Sequence, residues 1–458
     1  MSDVQREARV ELEAKQDVEQ ELKDIRELSS RHQKLETLMN RVNEESLKRA
    51  HREQDKRKAV GVDGVTKEAY EANLDMNVAE LVSRMKKFSY KPQAVRRVYI
   101  PKADGKRRPL GIPSYEDRLV QSVMAGILGE IYEGRFSDCS FGFRPGRSAH
   151  QAVRAIDKTL MTRRVNYVLE ADIKGFFDNV KHDHMMRFLE HDIADKNFLR
   201  YIKRFLIAGV MEGGTWHASD EGTPQGGLIS PVLANIYLHY VLDLWCEALK
   251  KRCRGEVYYV RYADDFLLMF QYEEDACKVL QALGARLGKF GLELAQDKTR
   301  IVPFGRFKGT KEDFDFLGFT FFNARGLAGK YRVGVRTSKR RLKSKKEGVK
   351  AWLKTRLVQP VHATLRSLQL TLAGHFNYFG VSGNIRKLKE FWRYAKHATF
   401  RMLNRRSQRR SIKYGRFDAL WDEHVKKPKV TKDIWSPRQR GQPERKPLNP
   451  WEWQPKLT

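Results

Sequence analysis

The sequence predicts an α+β fold, and two kinds of pattern predict it. Four short runs rich in Val, Ile, Tyr and Phe have strand character, and they lie at residues 95–100, 166–172, 257–262 and 266–270. Between them, apolar residues recur at helical spacing across residues 115–133, 183–209 and 230–250. Helices interspersed with strands over roughly residues 60–325 indicate a mixed core in which helices cover a sheet.

Composition divides the chain into four segments. Residues 1–58 are almost free of Gly and Pro and carry an apolar helical stripe, with a capping-box pattern at residues 30–33. We predict an N-terminal helical extension there, serving packing or coiled-coil contact. The mixed core is assigned to residues 59–325. Residues 326–412 regain helical periodicity with a basic surround, and residues 413–458 form a basic tail containing Pro and Trp.

The charge balance predicts a polyanionic partner. The chain has 88 Lys and Arg against 57 Asp and Glu, a net charge of +31. Basic residues alternate with aromatic ones along whole helices, which favours nucleic acid over an anionic membrane surface. No apolar run approaches the roughly 20 residues that cross a bilayer, and the start has no apolar signal region. We therefore expect a soluble, cytoplasmic protein of bacterial type, associated with the nucleoid or a ribonucleoprotein.

The four cysteines are scattered along the chain, and none forms a metal-binding pair with nearby histidines. We therefore expect neither a zinc site nor disulfides. The cysteines are Cys139, Cys246, Cys253 and Cys277.

Two adjacent carboxylates lie between two strand-like runs. Asp264 and Asp265 follow residues 257–262, a pattern typical of a hairpin with an acidic turn. Because Asp is a favoured turn residue, a solvated structural turn is the alternative. Asp172 ends another apolar strand. If these strands are neighbours in one sheet, the three carboxylates converge, and divalent cations such as magnesium would relieve their repulsion.

Two metal ions about 4 Å apart are what in-line phosphoryl transfer requires, since one activates the attacking hydroxyl and the other stabilises the leaving group. The carboxylate pattern therefore predicts an enzyme that acts on nucleotides.

An ordered series of sequence blocks resembles those of reverse transcriptases. Tyr262-Ala-Asp-Asp resembles the palm motif, and its companion blocks lie at residues 97–113, 140–148, 222–231, 296–300 and 316–319. Their forms are closest to group II intron-encoded proteins, whose maturase-type thumb is matched by residues 374–384 and 403–410. The resemblance covers about residues 58–412. It implies a right-hand polymerase fold, with fingers and an antiparallel palm sheet followed by an α-helical thumb or maturase domain.

The resemblance also implies a catalytic site. Asp172, the carbonyl of Ile173 and Asp264 would ligate two Mg²⁺ ions, and Asp265 would complete or support the site. Lys298 matches a candidate general acid for pyrophosphate, with an ordinary surface lysine as the alternative.

The resemblance places further residues around the incoming nucleotide, next to Ile173. Lys102 and Arg108 match fingers residues that hold the triphosphate, and Gln225 matches the residue beside the sugar. Phe177 matches the aromatic gate that excludes a ribose 2′-hydroxyl and so selects deoxynucleotides. A core Phe is the alternative, because Phe176 is its neighbour.

Basic residues of two regions would contact nucleic-acid phosphates, and together they predict a steep salt dependence of binding. For the two that lie in block 140–148, a structural clamp of the loop is the alternative. The residues are Arg144, Arg147, Arg340, Arg341, Lys345, Arg405, Arg406, Arg409 and Arg410.

These features predict an RNA-directed DNA polymerase that uses an RNA template, a DNA primer and dNTPs, and that binds group II intron RNA to assist splicing and mobility. One alternative is a free-standing, domesticated enzyme of DNA repair or phage defence. Another is a non-catalytic maturase that acts as an RNA-binding splicing factor, although the retained carboxylates favour catalysis. No H-N-H endonuclease pattern follows the thumb, so target cleavage is not expected. The sequence leaves the oligomeric state open.

Overall fold

Three small sheets and a series of helices form the fold in a computed structural model, which describes residues 24–29, 34–101, 107–219, 221–223, 226–326, 329–406 and 412–435. The strands of these residues are, in chain order, β1 (Val95–Pro101), β2 (Arg107–Ile112), β3 (Tyr167–Ala171), β4 (Val210–Glu212), β5 (Thr215–His217), β6 (Val257–Tyr262), β7 (Asp265–Phe270), β8 (Arg300–Pro303), β9 (Asp313–Phe316), β10 (Phe319–Arg325) and β11 (Tyr331–Thr337).

The α-helices of the described residues both precede and follow the sheets. They are α1 (Glu44–Glu53), α2 (Lys67–Glu71), α3 (Leu74–Lys86), α4 (Tyr115–Glu133), α5 (Ala149–Thr162), α6 (His182–Asp192), α7 (Lys196–Ile207), α8 (Ser230–Leu238), α9 (Leu244–Leu249), α10 (Glu273–Gly288), α11 (Lys339–Lys354), α12 (Val361–Phe379), α13 (Ile385–Leu403) and α14 (Tyr414–His424). None of the helices in the described ranges is both long and apolar enough to cross a membrane.

The central sheet has the strand order β6-β7-β3-β8, and every neighbouring pair is antiparallel. A second sheet has the order β2-β1-β4-β5, in which β1 and β4 run parallel. The third sheet, β11-β10-β9, is antiparallel. The order of the central sheet brings β3 beside β7, although several helices separate them in sequence.

Both faces of the central sheet are buried, which explains why its strands read as continuous apolar runs. On β7, Phe266, Leu268 and Phe270 belong to one hydrophobic core, which α4 and α8 share. Leu267 and Met269 belong to a second core, shared with α5 and the third sheet. This alternation follows from the two-residue period of a strand. The predicted mixed core is confirmed.

The described part of the N-terminal extension packs against the first core. Leu35 and Leu38 are buried there. A reciprocal capping box begins α1, because the Asn43 side chain accepts a hydrogen bond from the Ser46 N–H (2.9 Å) and the Ser46 hydroxyl accepts one from the Asn43 N–H (3.0 Å). These described residues therefore contribute to the first core. The capping box predicted at residues 30–33 lies outside the described residues.

The helix predicted over residues 183–209 divides in two. The Asp195 side chain accepts hydrogen bonds from the N–H groups of Asn197 and Phe198, at 2.9 and 3.0 Å, and so caps the start of α7. The prediction over 230–250 corresponds instead to a continuous helical stretch in which a π turn, His239–Asp243, joins α8 to α9.

The helical region begins later than the composition indicates. β11 pairs with β10 along its length, so the expected boundary at residue 326 separates two paired strands, and the helices start with α11. At the other end, α14 buries Phe417 and Trp421 and contacts α12 and α13. Part of the expected tail therefore belongs to the helical region.

Candidate active site

The turn of the β6-β7 hairpin holds the two adjacent carboxylates. Tyr262 and Asp265 form the last registered pair, so Ala263 and Asp264 make a two-residue turn. Ala263 adopts a left-handed conformation with φ of 56° although it is not glycine, which costs roughly 1–2 kcal/mol. Strain of this kind persists only where the surroundings enforce it, and it is concentrated at functional sites.

Strand β3 brings a third carboxylate to the same end of the central sheet. Its last registered pair with β7 joins Ala171 to Phe266. The next residues along the two strands are Asp172 and Asp265, which therefore leave the ladder side by side. The sheet thus gathers the three carboxylates at one edge, as expected from the sequence if the strands were neighbours.

The pKa values of the two hairpin carboxylates, Asp264 and Asp265, are both raised. Burial and the charges of Asp264 and Asp172 raise the pKa of Asp265 to about 7. Burial and then Asp172 raise the pKa of Asp264, while Arg108 and Lys298 lower it. Asp265 is exposed to solvent, so repulsion by the neighbouring carboxylates contributes more to its raised pKa than burial does. The edge carries more negative charge than its cations neutralise.

Lys298 lies directly beside this edge. Its ammonium group donates a hydrogen bond to the Asp172 carboxylate, and a 3₁₀ turn, Gln296–Lys298, positions it. The Lys298 side chain is 56% exposed, and its partner Asp172 raises the pKa of Lys298. Lys298 therefore carries a proton at neutral pH, as either a general acid or a counter-ion of Asp172 must.

Phe177 lies in the 3₁₀ turn after β3. Its neighbour Phe176 is buried in the core, whereas Phe177 is only half-buried. The Phe177 carbonyl accepts a hydrogen bond from the N–H of Thr223 at 2.8 Å. This bond ties Phe177 to the loop that carries Gln225, which itself lies outside the described residues.

The second sheet approaches the carboxylates through β2. Arg108 is exposed on this strand, and its charge lowers the pKa of Asp264 and of Asp265. Gly226, at φ of 118°, lies so close to β2 that a Cβ there would be 2.6 Å from the Gly111 carbonyl oxygen. Lys102 lies outside the described residues.

Arg144 requires a correction. Its side chain is buried, and it donates hydrogen bonds to the Glu133 carboxylate (2.9 Å) and to the carbonyls of Ser137 (2.6 Å) and Ser140 (2.8 Å). These internal contacts engage the guanidinium, so Arg144 is a structural clamp of the loop and the nucleic-acid contact predicted for it is wrong. A buried charge of this kind needs such partners.

The remaining predicted phosphate contacts differ in exposure. Arg147 is partly exposed and pairs with Asp138 at 2.7 Å. Lys345 and Arg406 are half-buried. The exposed members among the described residues are Arg340, Arg341 and Arg405, while Arg409 and Arg410 lie outside the described residues.

Oxygen ligands for a divalent cation are present at the carboxylate edge. Among the described residues, no group of three or more His, Cys, Asp or Glu side chains is arranged to hold a metal ion. The Asp172 carboxylate instead pairs with Lys298. The raised pKa values of Asp264 and Asp265 nevertheless fit an edge that gains from a bound cation, and Mg²⁺ prefers carboxylate oxygens. Ile173 is buried behind this edge.

One buried arginine beneath the hairpin escaped the sequence analysis. Arg261 is fully buried on β6 and pairs with the fully buried Asp243 at 2.5 Å. A charged residue inside an otherwise apolar strand was the signal available in the sequence, because buried charges are rare unless they are paired.

Carboxylates gathered at the hairpin edge of an antiparallel sheet, with the cations Arg108 and Lys298 beside them, are typical of nucleic-acid polymerases. Residues 100–321 match the family described as reverse transcriptase (RNA-dependent DNA polymerase). The chain is 34% identical over 304 residues to Protein YkfC of Escherichia coli (strain K12), covering 60% of this chain and 78% of YkfC.

Proteins of introns are similar to this chain as well. It is 32% identical over 305 residues to the group II intron-encoded protein LtrA of Lactococcus lactis subsp. cremoris, covering 54% of this chain and 50% of LtrA. It is 36% identical over 97 residues to nuclear intron maturase 2, mitochondrial, of Arabidopsis thaliana, covering 21% of this chain and 13% of that protein. The chain therefore belongs to the group II intron reverse transcriptase and maturase family, whose enzymes are RNA-directed DNA polymerases.

Proposed function

We propose that this chain copies RNA into DNA by two-metal nucleotidyl transfer with Mg²⁺. One observation carries the proposal: the register of β3 with β7 sets Asp172 beside Asp265, next to Asp264 in the hairpin turn. Bound Mg²⁺ would activate the primer 3′-hydroxyl and stabilise the leaving pyrophosphate. Asp172, Asp264 and the Ile173 carbonyl would hold the ions, with Asp265 in support.

The neighbouring side chains would position the nucleotide and move protons. Arg108 would pair with phosphate oxygens of the incoming dNTP through its planar fork, together with Lys102 and Gln225. Phe177 would exclude a ribose 2′-hydroxyl, because its ring is only half-buried and its carbonyl is tied to Thr223. Lys298 would leave Asp172 as the ions bind and protonate the departing pyrophosphate.

The three parts of the fold correspond in this proposal to a right hand. The central sheet serves as the palm, the second sheet as the fingers, and helices α11–α14 as the thumb. Basic side chains exposed on the thumb would follow the phosphates of the RNA template and DNA primer. Arg340 and Arg341 at the start of α11 and Arg405 after α13 support this assignment.

We also propose that the same chain binds a structured group II intron RNA. The similarity to LtrA and to an intron maturase supports this partner, as does the net charge of +31. The match spans half of LtrA, so the experiment for this partner must use this chain itself. Filter binding of intron RNA over a salt series tests it, and binding no stronger than to an unstructured RNA of equal length would contradict it.

Primer extension tests the polymerase assignment. Purified protein should add dNTPs to a DNA primer annealed to an RNA template in the presence of Mg²⁺. Asp264→Ala should lower the rate by about 10³-fold or more, because a carboxylate that holds the ions supplies several kcal/mol to the transition state. Binding of the primer–template should stay within about twofold of wild type.

Asp183→Asn provides the matched control, because Asp183 is an exposed aspartate at the start of α6. This variant should extend primers at the wild-type rate. An equal loss of extension and of primer–template binding in Asp264→Ala would contradict the assigned role. Absence of extension by wild type with any divalent metal would instead favour the non-catalytic RNA-binding alternative.

A further inference from the structure

A fully buried ion pair lies directly beneath the strained turn. The Arg261 guanidinium donates to both carboxylate oxygens of Asp243, from Nε at 2.7 Å and from Nη2 at 2.5 Å. The Tyr259 hydroxyl donates to the same carboxylate at 2.9 Å. Neither member of the pair is exposed. Asp243 ends the π turn between α8 and α9, a rare helical irregularity that occurs frequently at functional sites.

The third nitrogen of the guanidinium contacts the hairpin turn and does not contact Asp243. Arg261 Nη1 donates to the main-chain carbonyl of Ala263 at 3.1 Å and to the Asn235 side-chain oxygen at 2.9 Å. The Asn235 amide in turn donates to the Gly142 carbonyl at 2.7 Å. A Cβ on Gly142 would lie 2.3 Å from the Ala263 nitrogen, so this backbone presses against the turn.

The backbone of Arg261 strengthens the same connection. Its N–H donates to the Cys139 carbonyl at 2.8 Å, and its carbonyl accepts from the Phe141 N–H at 2.9 Å. One residue therefore joins the hairpin, helix α8 and the segment before α5. These contacts converge on Ala263, the residue whose left-handed φ requires enforcement.

We infer that Arg261 is a positioning residue: through the Ala263 carbonyl and Asn235 it fixes the hairpin turn and thereby the direction in which Asp264 and Asp265 present their oxygens. The inference rests on the proposed function, because it concerns the carboxylates assigned there to the metal ions. Groups that orient metal ligands typically change metal affinity or activity by about 10- to 100-fold when they are lost.

A purely structural role predicts a different pattern. In that case Arg261 would act only as the ionic partner of Asp243, through Nε and Nη2. A lysine would supply a charge to Asp243 but no planar fork to reach the turn at the same time. Arg261→Lys therefore separates the two roles.

Arg135→Lys is the matched control. Arg135 is also a largely buried arginine that pairs with a buried aspartate, Asp192, and it donates to the Ser29 hydroxyl at 3.0 Å. Its contacts join the N-terminal segment to the core and do not involve the hairpin. Arg135→Lys therefore measures how much a buried Arg→Lys exchange changes Mn²⁺ binding when the hairpin is not involved.

The decisive experiment titrates the full-length, metal-free proteins with Mn²⁺ and follows free Mn²⁺ by electron paramagnetic resonance. Arg261→Lys should bind Mn²⁺ about tenfold more weakly than wild type, whereas Arg135→Lys should differ by less than about twofold. In primer extension, Arg261→Lys should lower kcat by about tenfold or more and leave the Kd for primer–template unchanged.

Asn235→Ala keeps the inference testable if Arg261→Lys fails to fold, because it leaves the ion pair with Asp243 intact. It should weaken Mn²⁺ binding by about threefold or more. Wild-type Mn²⁺ affinity in a folded Arg261→Lys or Asn235→Ala variant would overturn the inference. Inactivity of the wild-type protein in primer extension would count against the proposed function alone, since the Mn²⁺ comparison would still decide the role of Arg261.

Discussion

One buried aspartate, Asp243, and the aspartates of the hairpin turn lie near the same strand, β6, and experience opposite electrostatics. Burial alone would raise the pKa of Asp243, but the charge and hydrogen bonds of Arg261 outweigh burial and lower it. At the turn, burial and neighbouring carboxylates raise the pKa of Asp265 to about 7. Asp243 is therefore neutralised by its partner Arg261. The carboxylates at the turn still repel one another.

The difference shows where the protein uses charge for stability and where it keeps charge available. A buried carboxylate without a partner would destabilise the fold, and Asp243 accepts hydrogen bonds from Arg261 and Tyr259. The carboxylates at the edge are reached by solvent and by exposed cations, Arg108 and Lys298. Because these cations neutralise the carboxylates only in part, an added cation gains favourable electrostatic energy by binding there.

Asp243→Ala should cause the largest loss of stability among the variants that test this difference. The substitution leaves the Arg261 charge buried without its partner, which should lower the free energy of unfolding by about 3–5 kcal/mol. Urea unfolding followed by circular dichroism measures this loss. Asp264→Ala is the contrasting variant, because it removes a repelling charge and should leave stability unchanged or slightly higher. An equal loss of unfolding free energy in the two variants would show that Asp243 and Asp264 do not differ in their contribution to stability.

Gly142→Ala should lower the free energy of unfolding by a smaller amount. The substitution alters the contact between the Gly142 backbone and the hairpin turn. The added Cβ would lie 2.3 Å from the Ala263 nitrogen, a backbone atom that cannot rotate away. We expect a loss of about 1–3 kcal/mol in unfolding free energy and a fall in primer extension larger than that loss explains. Gly129→Ala is the control, because a Cβ on Gly129 meets nothing within 4 Å. Unchanged extension in Gly142→Ala would contradict the close support of the turn.

The sequence predicts three of the four strands of the central sheet, β3, β6 and β7, because each of them is a distinct apolar run, whereas β8 (Arg300–Pro303) is too short and polar to be recognised. The bounds predicted for β6 and for β7 agree with the structure to within one residue. Their pairing with β3 depends on contacts between distant segments, which periodicity does not contain. The convergence of Asp172 with the hairpin carboxylates was therefore a conditional expectation until the register was known.

Direction and burial of charged side chains were the least predictable features. Arg144 and Arg147 stand three residues apart in one sequence block, yet Arg144 is buried with internal partners and Arg147 is partly exposed. Helix α14 escaped prediction because a basic segment precedes it and Lys and Pro follow it, although Phe417 and Trp421 stand at the i, i+4 spacing of a buried helical face.

The subtlest prediction concerns pH in the absence of added metal ions. The pKa of Asp265 is raised from 3.8 to about 7, so the folded state retains a proton that the unfolded chain releases near pH 4. The stability that this group contributes is present below about pH 4 and is lost as the pH rises through about 7. Asp264 shifts in the same direction. Thermal unfolding in EDTA between about pH 5 and about pH 8 should therefore show a smaller decrease in Tm for Asp265→Asn than for wild type. Saturating Mg²⁺ should reduce the difference, because the ion binds the charged carboxylates that repulsion disfavours. Parallel Tm curves for the two proteins in EDTA would mean that the carboxylates at the turn are already neutralised, and the contrast with Asp243 would then fail.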